Sequence, residues 1–316
     1  MTPVSVVVPC WNAEEWIGEA LRSALDQAGV RVEVVVVDDG STDGTRAAIR
    51  RLADPRVRVI SQVRQGASRA RNVGTAASRA PYLQYLDADD VLLPDALRVR
   101  AAALESSGAD VAYSDWVRYE RASDGRFADG EAVARELGPR PELDLVTDFW
   151  WPPGALLYRR AIVERIGAWR EDLPIIQDAR FQLDAALAGA RFVRVPGVGL
   201  RYRVHGPESL SRRDPRAFVD DCYRNGRDLH ERWAREGSLD EGRRRALLRV
   251  YDHAARRYHG LDRARFREVL GHLSALDPRY RPESPRSLRL ASTLMGYPAA
   301  LFVAGAWRRL KRLAAR

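Results

Sequence analysis

Short apolar runs alternate with segments of helical periodicity through the first 115 residues, and this alternation restricts the fold more than any other feature of the chain. Residues 4–8, 32–37, 57–60, 82–86 and 111–114 are rich in Val, Ile, Leu and Tyr and have the length of strands. Between them, residues 13–28, 43–52, 66–78 and 94–104 read as helices. The first of these carries Trp16, Ile17, Ala20, Leu21, Ala24 and Leu25 at helical spacing, and the last opens on Pro94, which has no N–H to lose in a first turn. Strands apolar on both faces, each followed by a helix, predict a mostly parallel sheet flanked by helices. Ligands of such sheets collect beyond the carboxyl ends of the strands.

The unusual polar clusters all fall at those ends: PCWNAEE (9–15), DDGSTDG (38–44) and DADD (87–90). Two adjacent carboxylates at the end of VVVV repel each other unless a cation or hydrogen-bond donors meet them. PCWNAEE stands where a dinucleotide-binding enzyme would carry GxGxxG, so a nicotinamide Rossmann enzyme is not expected; Asn12 there is also a good helix cap. In DADD, carboxylates spaced one apart can converge on a hard divalent cation such as Mg²⁺ or Mn²⁺. The competing reading is a helix N-terminus whose dipole the aspartates complement. QGASRARNVG (65–74) opens a helix on glycine with Ser68, Arg69 and Arg71 in its first turns, suited to a phosphate or a base edge, or else a solvated basic helix start.

A net charge of +9 invites a nucleic-acid reading, but the excess is arginine spread along the chain, with Lys311 the one lysine. No RNA-recognition, helix-turn-helix or zinc-finger pattern accompanies it, so no nucleic-acid partner is expected. An anionic substrate or lipid surface fits the charge. Cys10 and Cys222 offer neither a disulfide framework nor a cysteine zinc site, and MTPVSVVVP lacks a basic n-region, so a cytoplasmic location is expected.

SVVVPCWNAEEWIGEALRSAL, VEVVVVDDGSTDGT, RQGASRARNVG and YLQYLDADDVLLPDAL occur in the order and near-spacing of the inverting glycosyltransferases of family 2, which the chain resembles from residue 3 to about 115. The resemblance implies an α/β fold of GT-A type, a mostly parallel central sheet flanked by helices, here with a helical C-terminal extension. It divides the chain into a nucleotide-sugar-binding half (1–115), an acceptor-side half of the same domain (116–212) and a helical region (213–316). It implies that Pro9, Trp11 and Glu14 line the nucleotide pocket, that Asp39 accepts from the base's imide N–H, and that Arg71 contacts the nucleotide. Asp89 would hold the metal, with Asp87 on the metal, a metal-bound water or the ribose; Asp38 would brace the turn. The partners implied are a nucleotide-sugar donor, with uridine favoured, and a glycan or lipid-linked acceptor.

The second half matches less fully. GAWREDLPIIQD (167–178) corresponds to the glycine-rich turn and acidic pair that carry the family's general base, which makes Asp178 the base; Gln177 stands where the glutamate is usual. A single carboxylate suffices for in-line inversion. Glu171 and Asp172 lie close enough in sequence to serve instead. YRVHGPESLSR resembles the family's YRxH segment, so His205, with Ser209 or Ser211, would close over the diphosphate. Trp150, Trp151 and Pro153 read either as an acceptor platform or as plain core. Residues 290–307 carry no charge and are flanked by Arg289, Arg308, Arg309, Lys311 and Arg312. With Ser292, Thr293, Gly296 and Pro298 they make a poor spanning helix, and predict either one lying on an anionic membrane surface or one packed against the protein. Two rival functions stay open: a degenerate family member that binds nucleotide sugar without turnover, and a basic polyanion-binding protein.

Overall fold

The computed structural model describes every residue except 123, 148–149, 205–213 and 315–316, and gives only the backbone of 308–314. The chain divides into two units, Met1–Arg213 and Asp214–Arg316.

In the first unit the predicted strands form one sheet. β1 (Thr2–Cys10), β2 (Val30–Asp38), β3 (Val57–Ser61) and β4 (Tyr82–Tyr85) run parallel in the order β3-β2-β1-β4. Beyond β4 the sheet continues through β8 (Leu156–Arg159), β6 (Val111–Arg121), β9 (Phe192–Arg203) and β5 (Val91–Leu92), with β7 (Phe127–Val133) paired to β6. Val34 to Val37 are at most 1% exposed, as expected of a strand covered on both faces. Each such valine contributes roughly 1.5–3 kcal/mol through burial. Cys10 lies in register with Asp38, so β1 and β2 end at one level and their loops emerge side by side.

The flanking helices are α1 (Ile17–Leu25), α2 (Thr45–Leu52), α3 (Ala67–Ala77), α4 (Ala96–Ser107), α5 (Pro141–Thr147), α6 (Arg160–Ile166) and α7 (Gln177–Leu187). α1 buries Ile17, Ala20, Leu21, Ala24 and Leu25, the face its spacing predicts. It begins at Ile17 and not at residue 13, so Asn12 does not cap it; Asn12 sits at φ 48° and turns its bonds toward the neighbouring loop. α3 lies close on the sheet at Gly74, where a Cβ would come within 2.4 Å of Val7 Cγ1. The strand expected at 111–114 runs on to Arg121 and turns back through β7, pairing Trp116 with Val133. A further anchor is Arg100 of α4, fully buried without a carboxylate. It donates to Gln84 Oε1 at 3.0 Å, Gly154 O at 2.8 Å and Ser114 Oγ at 2.7 Å, and burial pulls its pKa down to about 9.

The second unit is helical: α8 (Pro215–Arg235), α9 (Glu241–Tyr258), α10 (Arg263–Leu276), α11 (Arg286–Met295) and α12 (Tyr297–Ala314). Asp214, Asp240 and Asp262 cap the first three through their side chains, each satisfying N–H groups that the helix cannot. The uncharged tail is two helices, because Gly296 at φ 80° breaks it. One side packs, with Leu288, Tyr297, Ala300 and Leu301 buried; the other presents Leu290, Leu294, Phe302 and Trp307, each more than half exposed. Among the described residues no helix is long and apolar enough to cross a membrane.

Candidate active site

The fold meets each of the two adjacent aspartates after β2 with its own donors. Asp38, fully buried, accepts from Ser41 N at 3.0 Å and from the Arg46 guanidinium. Burial alone would raise its pKa, but these bonds and the Arg46 charge outweigh it and hold the carboxyl below its ordinary range. Asp39, 4% exposed, accepts from Gln62 Nε2 at 2.7 Å, Gln65 N at 2.8 Å and Gly66 N at 2.7 Å. It fastens the loop entering α3 to the end of β2 and keeps about one of a carboxylate's four lone-pair sites.

The loops after β1 and β2 clasp each other. Asn12 N donates to Ser41 Oγ at 3.0 Å, Thr42 N donates to Asn12 Oδ1 at 2.8 Å, and Ala13 N donates to Thr45 Oγ1 at 2.7 Å. Glu14 accepts from Gly44 N at one carboxylate oxygen and donates its own N–H to Asp43 at 3.2 Å, which ties it into the clasp. Pro9 is buried at the end of β1. Trp11 is 40% exposed, and the Arg64 guanidinium lies 3.5 Å above its ring, which leaves an aromatic surface at the mouth of the cleft. Cys10 beneath is inert: burial, then Asp38, Asp43 and Asp39, push its thiol up to about 12.

Arg71 of α3 is the central joint. Its guanidinium, 4% exposed, donates to Asp87 Oδ1 at 2.5 Å and to Gln177 Oε1 at 2.9 Å, and lies 4.5 Å over the Trp169 ring. Gln177 Oε1 also accepts from Ser68 Oγ at 2.6 Å. The first turn of α7 is thereby tied to α3 and to the strand end that carries DADD. Trp169 in turn stacks on Phe181 of α7, with centroids 4.1 Å apart at 6°.

DADD is held from the other side by β9. Arg203 N donates to Asp90 Oδ1 at 2.9 Å, Arg203 Nε to Asp89 O at 2.7 Å and Arg203 Nη2 to Glu19 at 2.6 Å. Burial, then Asp89 and Asp87, raise the Asp90 carboxyl well above its ordinary range. Burial also raises Asp87, with Arg71 opposing and Asp89 reinforcing. Among the described residues no group of three His, Cys, Asp or Glu could cage an ion. The residues nonetheless fit Mg²⁺ or Mn²⁺, which take one or two carboxylates and complete their shell with phosphate and water oxygens. Asp90 Oδ2, buried and unpartnered among the described residues, adds acceptor capacity beside Asp89.

Asp178 lies in the first turn of α7. Burial raises its pKa to about 6; the Ala179 N–H and the Arg71 charge oppose this, and Asp87 adds to it. The other two acidic candidates face water and are paired: Asp172 with Arg170 at 2.5 Å, and Glu171 with Asn72 Nδ2 at 3.1 Å. A carboxylate raised toward neutrality can hold a proton removed near physiological pH, which an exposed, paired one does poorly.

Of the residues singled out in the sequence, the fold links Arg71 directly to Asp87 and to Gln177, the residue before Asp178, with Asp89 two residues along from Asp87. Asp39, Glu14 and Trp11 share a second cluster around the loops after β1 and β2. His205, Ser209 and Ser211 lie outside the described residues. Trp151 and Pro153 are core, with Trp151 1% exposed, while Trp150 is half-buried. Sequence reasoning missed Tyr202. Burial, then Asp90, Asp178, Asp87 and Asp89, raise its phenol pKa, and the next residue, Arg203, is bonded to Asp90 and to the Asp89 carbonyl. It is the tyrosine of the YRxH motif itself, and that was the available signal.

A family model described as "Glycosyl transferase family 2" matches residues 5–167. The chain belongs to that family. It is 44% identical over 110 residues to "Succinoglycan biosynthesis protein ExoO" of Rhizobium meliloti, a match spanning 34% of this chain and 32% of that protein. The crystal structure of S. aureus TarS 1–349 in complex with UDP-GlcNAc superimposes with a TM-score of 0.69 at 19% identity, covering 98% of this chain and 92% of that one. The mannosyltransferase PcManGT of Pyrobaculum calidifontis, in complex with GDP-Man and Mn²⁺, does so with a TM-score of 0.55 at 20% identity, covering 96% and 87%. These likenesses establish the GT-A type of α/β fold for this family 2 chain.

Proposed function

We propose that this chain is an inverting glycosyltransferase that moves a sugar from a UDP-linked donor to a hydroxyl of a glycan or lipid-linked acceptor, in the synthesis of a polysaccharide or glycoconjugate. The observation that carries the reading is the buried joint of Ser68, Arg71 and Gln177, which sets Asp178 beside Asp87 from distant parts of the chain. TarS with UDP-GlcNAc supports the choice of base and PcManGT with Mn²⁺ supports a cation.

In this reading Asp39 offers its remaining lone pair to the imide N–H of uracil, and Trp11 with Arg64 gives the base a flat surface. Pro9 and Glu14 hold the floor and wall of that pocket through the loop clasp. Arg71 acts through Asp87, keeping that carboxylate aimed while cancelling part of the site's negative charge. Asp89 with Asp87 would hold Mg²⁺ or Mn²⁺, which when bound neutralises charge growing on the departing diphosphate. Asp178 accepts the proton of the acceptor hydroxyl as that oxygen attacks the anomeric carbon from the face opposite the diphosphate. Gln177 in place of the usual glutamate keeps this joint, because its amide oxygen accepts from both Ser68 and Arg71.

Thermal shift with UDP and UDP-GlcNAc, with and without Mn²⁺, tests the reading. We expect Mn²⁺-dependent stabilisation that Asp89→Ala loses, with donor affinity lower by ~10-fold or more. Stabilisation unchanged by chelator would remove the metal role, and tight salt-sensitive RNA binding without nucleotide binding would favour the polyanion reading.

The exposed side of α11 and α12, bordered by Arg286 and Arg289, supports peripheral attachment to an anionic membrane at its cytoplasmic face. Leu294→Glu with Phe302→Glu is expected to lower sedimentation with phosphatidylglycerol vesicles by about tenfold or more. Unchanged sedimentation would rule out that face as the anchor.

A further inference from the structure

We propose that Tyr202 and Trp150, backed by Trp116, form the subsite that receives the acceptor's sugar ring, with the Tyr202 hydroxyl turning the reacting hydroxyl toward Asp178. The proposal rests on the glycosyltransferase reading and assigns its second substrate.

The three rings form one cluster. Tyr202 stands edge-on to Trp116 with centroids 5.3 Å apart at 73° and to Trp150 at 5.8 Å and 75°, while the two indoles lie 5.9 Å apart at 35°. Two staples locate this cluster. On one side the residue after Tyr202 is bonded to DADD through both its N–H and its guanidinium. On the other, the residue after Trp150 is clasped to Gln182: Trp151 N donates to Gln182 Oε1 at 3.0 Å and Gln182 Nε2 donates to Trp151 O at 2.6 Å. Gln182 is four residues beyond Asp178, hence on the same face of α7. The rings are thus tied at one end to the cation-holding carboxylates and at the other to the base.

Their chemistry suits a sugar ring. Trp150 and Tyr202 are half-buried, so each keeps an accessible surface, whereas Trp116 behind them is 5% exposed. Tyr202 has no hydrogen-bond partner for its hydroxyl among the described residues, and Trp116 Nε1 is buried without one. A hydroxylated ring with an apolar face supplies what both lack: C–H groups for the indole and oxygens for the phenol and indole N–H. In the glycosyltransferase reading Trp11 and Asp39 serve the donor's base and Asp89 its diphosphate beside this cluster, which leaves the ring surface to the acceptor.

The test uses the full chain, UDP-GlcNAc as donor probe and p-nitrophenyl glycosides as acceptor probes, with UDP release giving KM and calorimetry giving the donor Kd. Tyr202→Phe, which keeps the ring packing, is expected to raise acceptor KM ~3- to 10-fold with an unchanged UDP-GlcNAc Kd. Trp150→Ala should raise it by about tenfold, Trp150→Phe should recover most of that loss, and Trp150→Leu, which refills the space without a flat ring, should not, as a stacking surface requires. An unchanged acceptor KM in Tyr202→Phe and Trp150→Ala overturns the proposal, as does a weakened donor Kd with the acceptor KM intact. A native chain that binds neither UDP nor UDP-GlcNAc overturns the glycosyltransferase reading itself, and the subsite with it.

Discussion

Asp178→Asn is expected to lower transfer by ~10² to 10⁴ while leaving nucleotide-sugar affinity intact, because the amide keeps the shape of the carboxylate but cannot take a proton. The pH profile carries a second signature. With the pKa raised from 3.8 to about 6, the native rate should fall about tenfold per pH unit below an acidic limb at or under pH 6, since only the ionised form accepts. A bound cation nearby moves that limb downward, and in Asp178→Asn it disappears. Stability should shift the opposite way. A carboxyl whose pKa is higher folded than unfolded is fully accommodated below about pH 4, and costs the fold progressively as pH rises through the window from about 4 to 6. At neutral pH Asp178→Asn should therefore stabilise the chain by on the order of 1–2 kcal/mol. Near-native turnover in this variant would move the base to Asp172 or Glu171.

Arg71→Met is expected to cost about 2–4 kcal/mol in urea unfolding and to abolish most donor binding. Breaking a buried ion pair is expensive because the partner charge stays behind. The loss is kept below the upper end because Asp87 is 29% exposed and regains some water. Gln177 keeps its bond from Ser68, so α7 loosens without detaching. The Arg71 charge also favours the ionised form of Asp178, so its removal should move the acidic limb upward. Arg71→Lys should fall between, since an ammonium keeps the charge but cannot fork to Asp87 and Gln177 in the same plane. Native stability and an unmoved limb in Arg71→Met would mean that the joint does not hold the site.

How much of this was legible in the chain differs by element. The parallel strands and the buried face of α1 followed from local periodicity, because burial on one or both faces writes itself into residue spacing. Asp89 stood out because DADD closes a strand where ligands of such sheets collect, whereas Asp178 was singled out only through the family resemblance. The start of α1 was misjudged by several residues, since the N–H groups of Asn12 and Ala13 are claimed by Ser41 and Thr45, partners that no local pattern announces. Arg71 illustrates the same limit. Its bonds to Asp87 and Gln177 reach into two other elements of the fold, partners that its place at a helix start does not name.

The sequence alone determined the sheet-and-helix alternation, the family and the carboxylates at strand ends, because each depends on neighbours within a few residues. Only the tertiary structure decided what those residues touch. Gln177, which in the sequence read as a defect, is the acceptor that two side chains of α3 share. Tyr202, which the sequence offered only as the first letter of the YRxH motif, lies next to the residue whose N–H and guanidinium hold DADD. Both outcomes arise from contacts across more than a hundred residues of chain, where partner identity is set by the packing of the sheet and not by spacing along it.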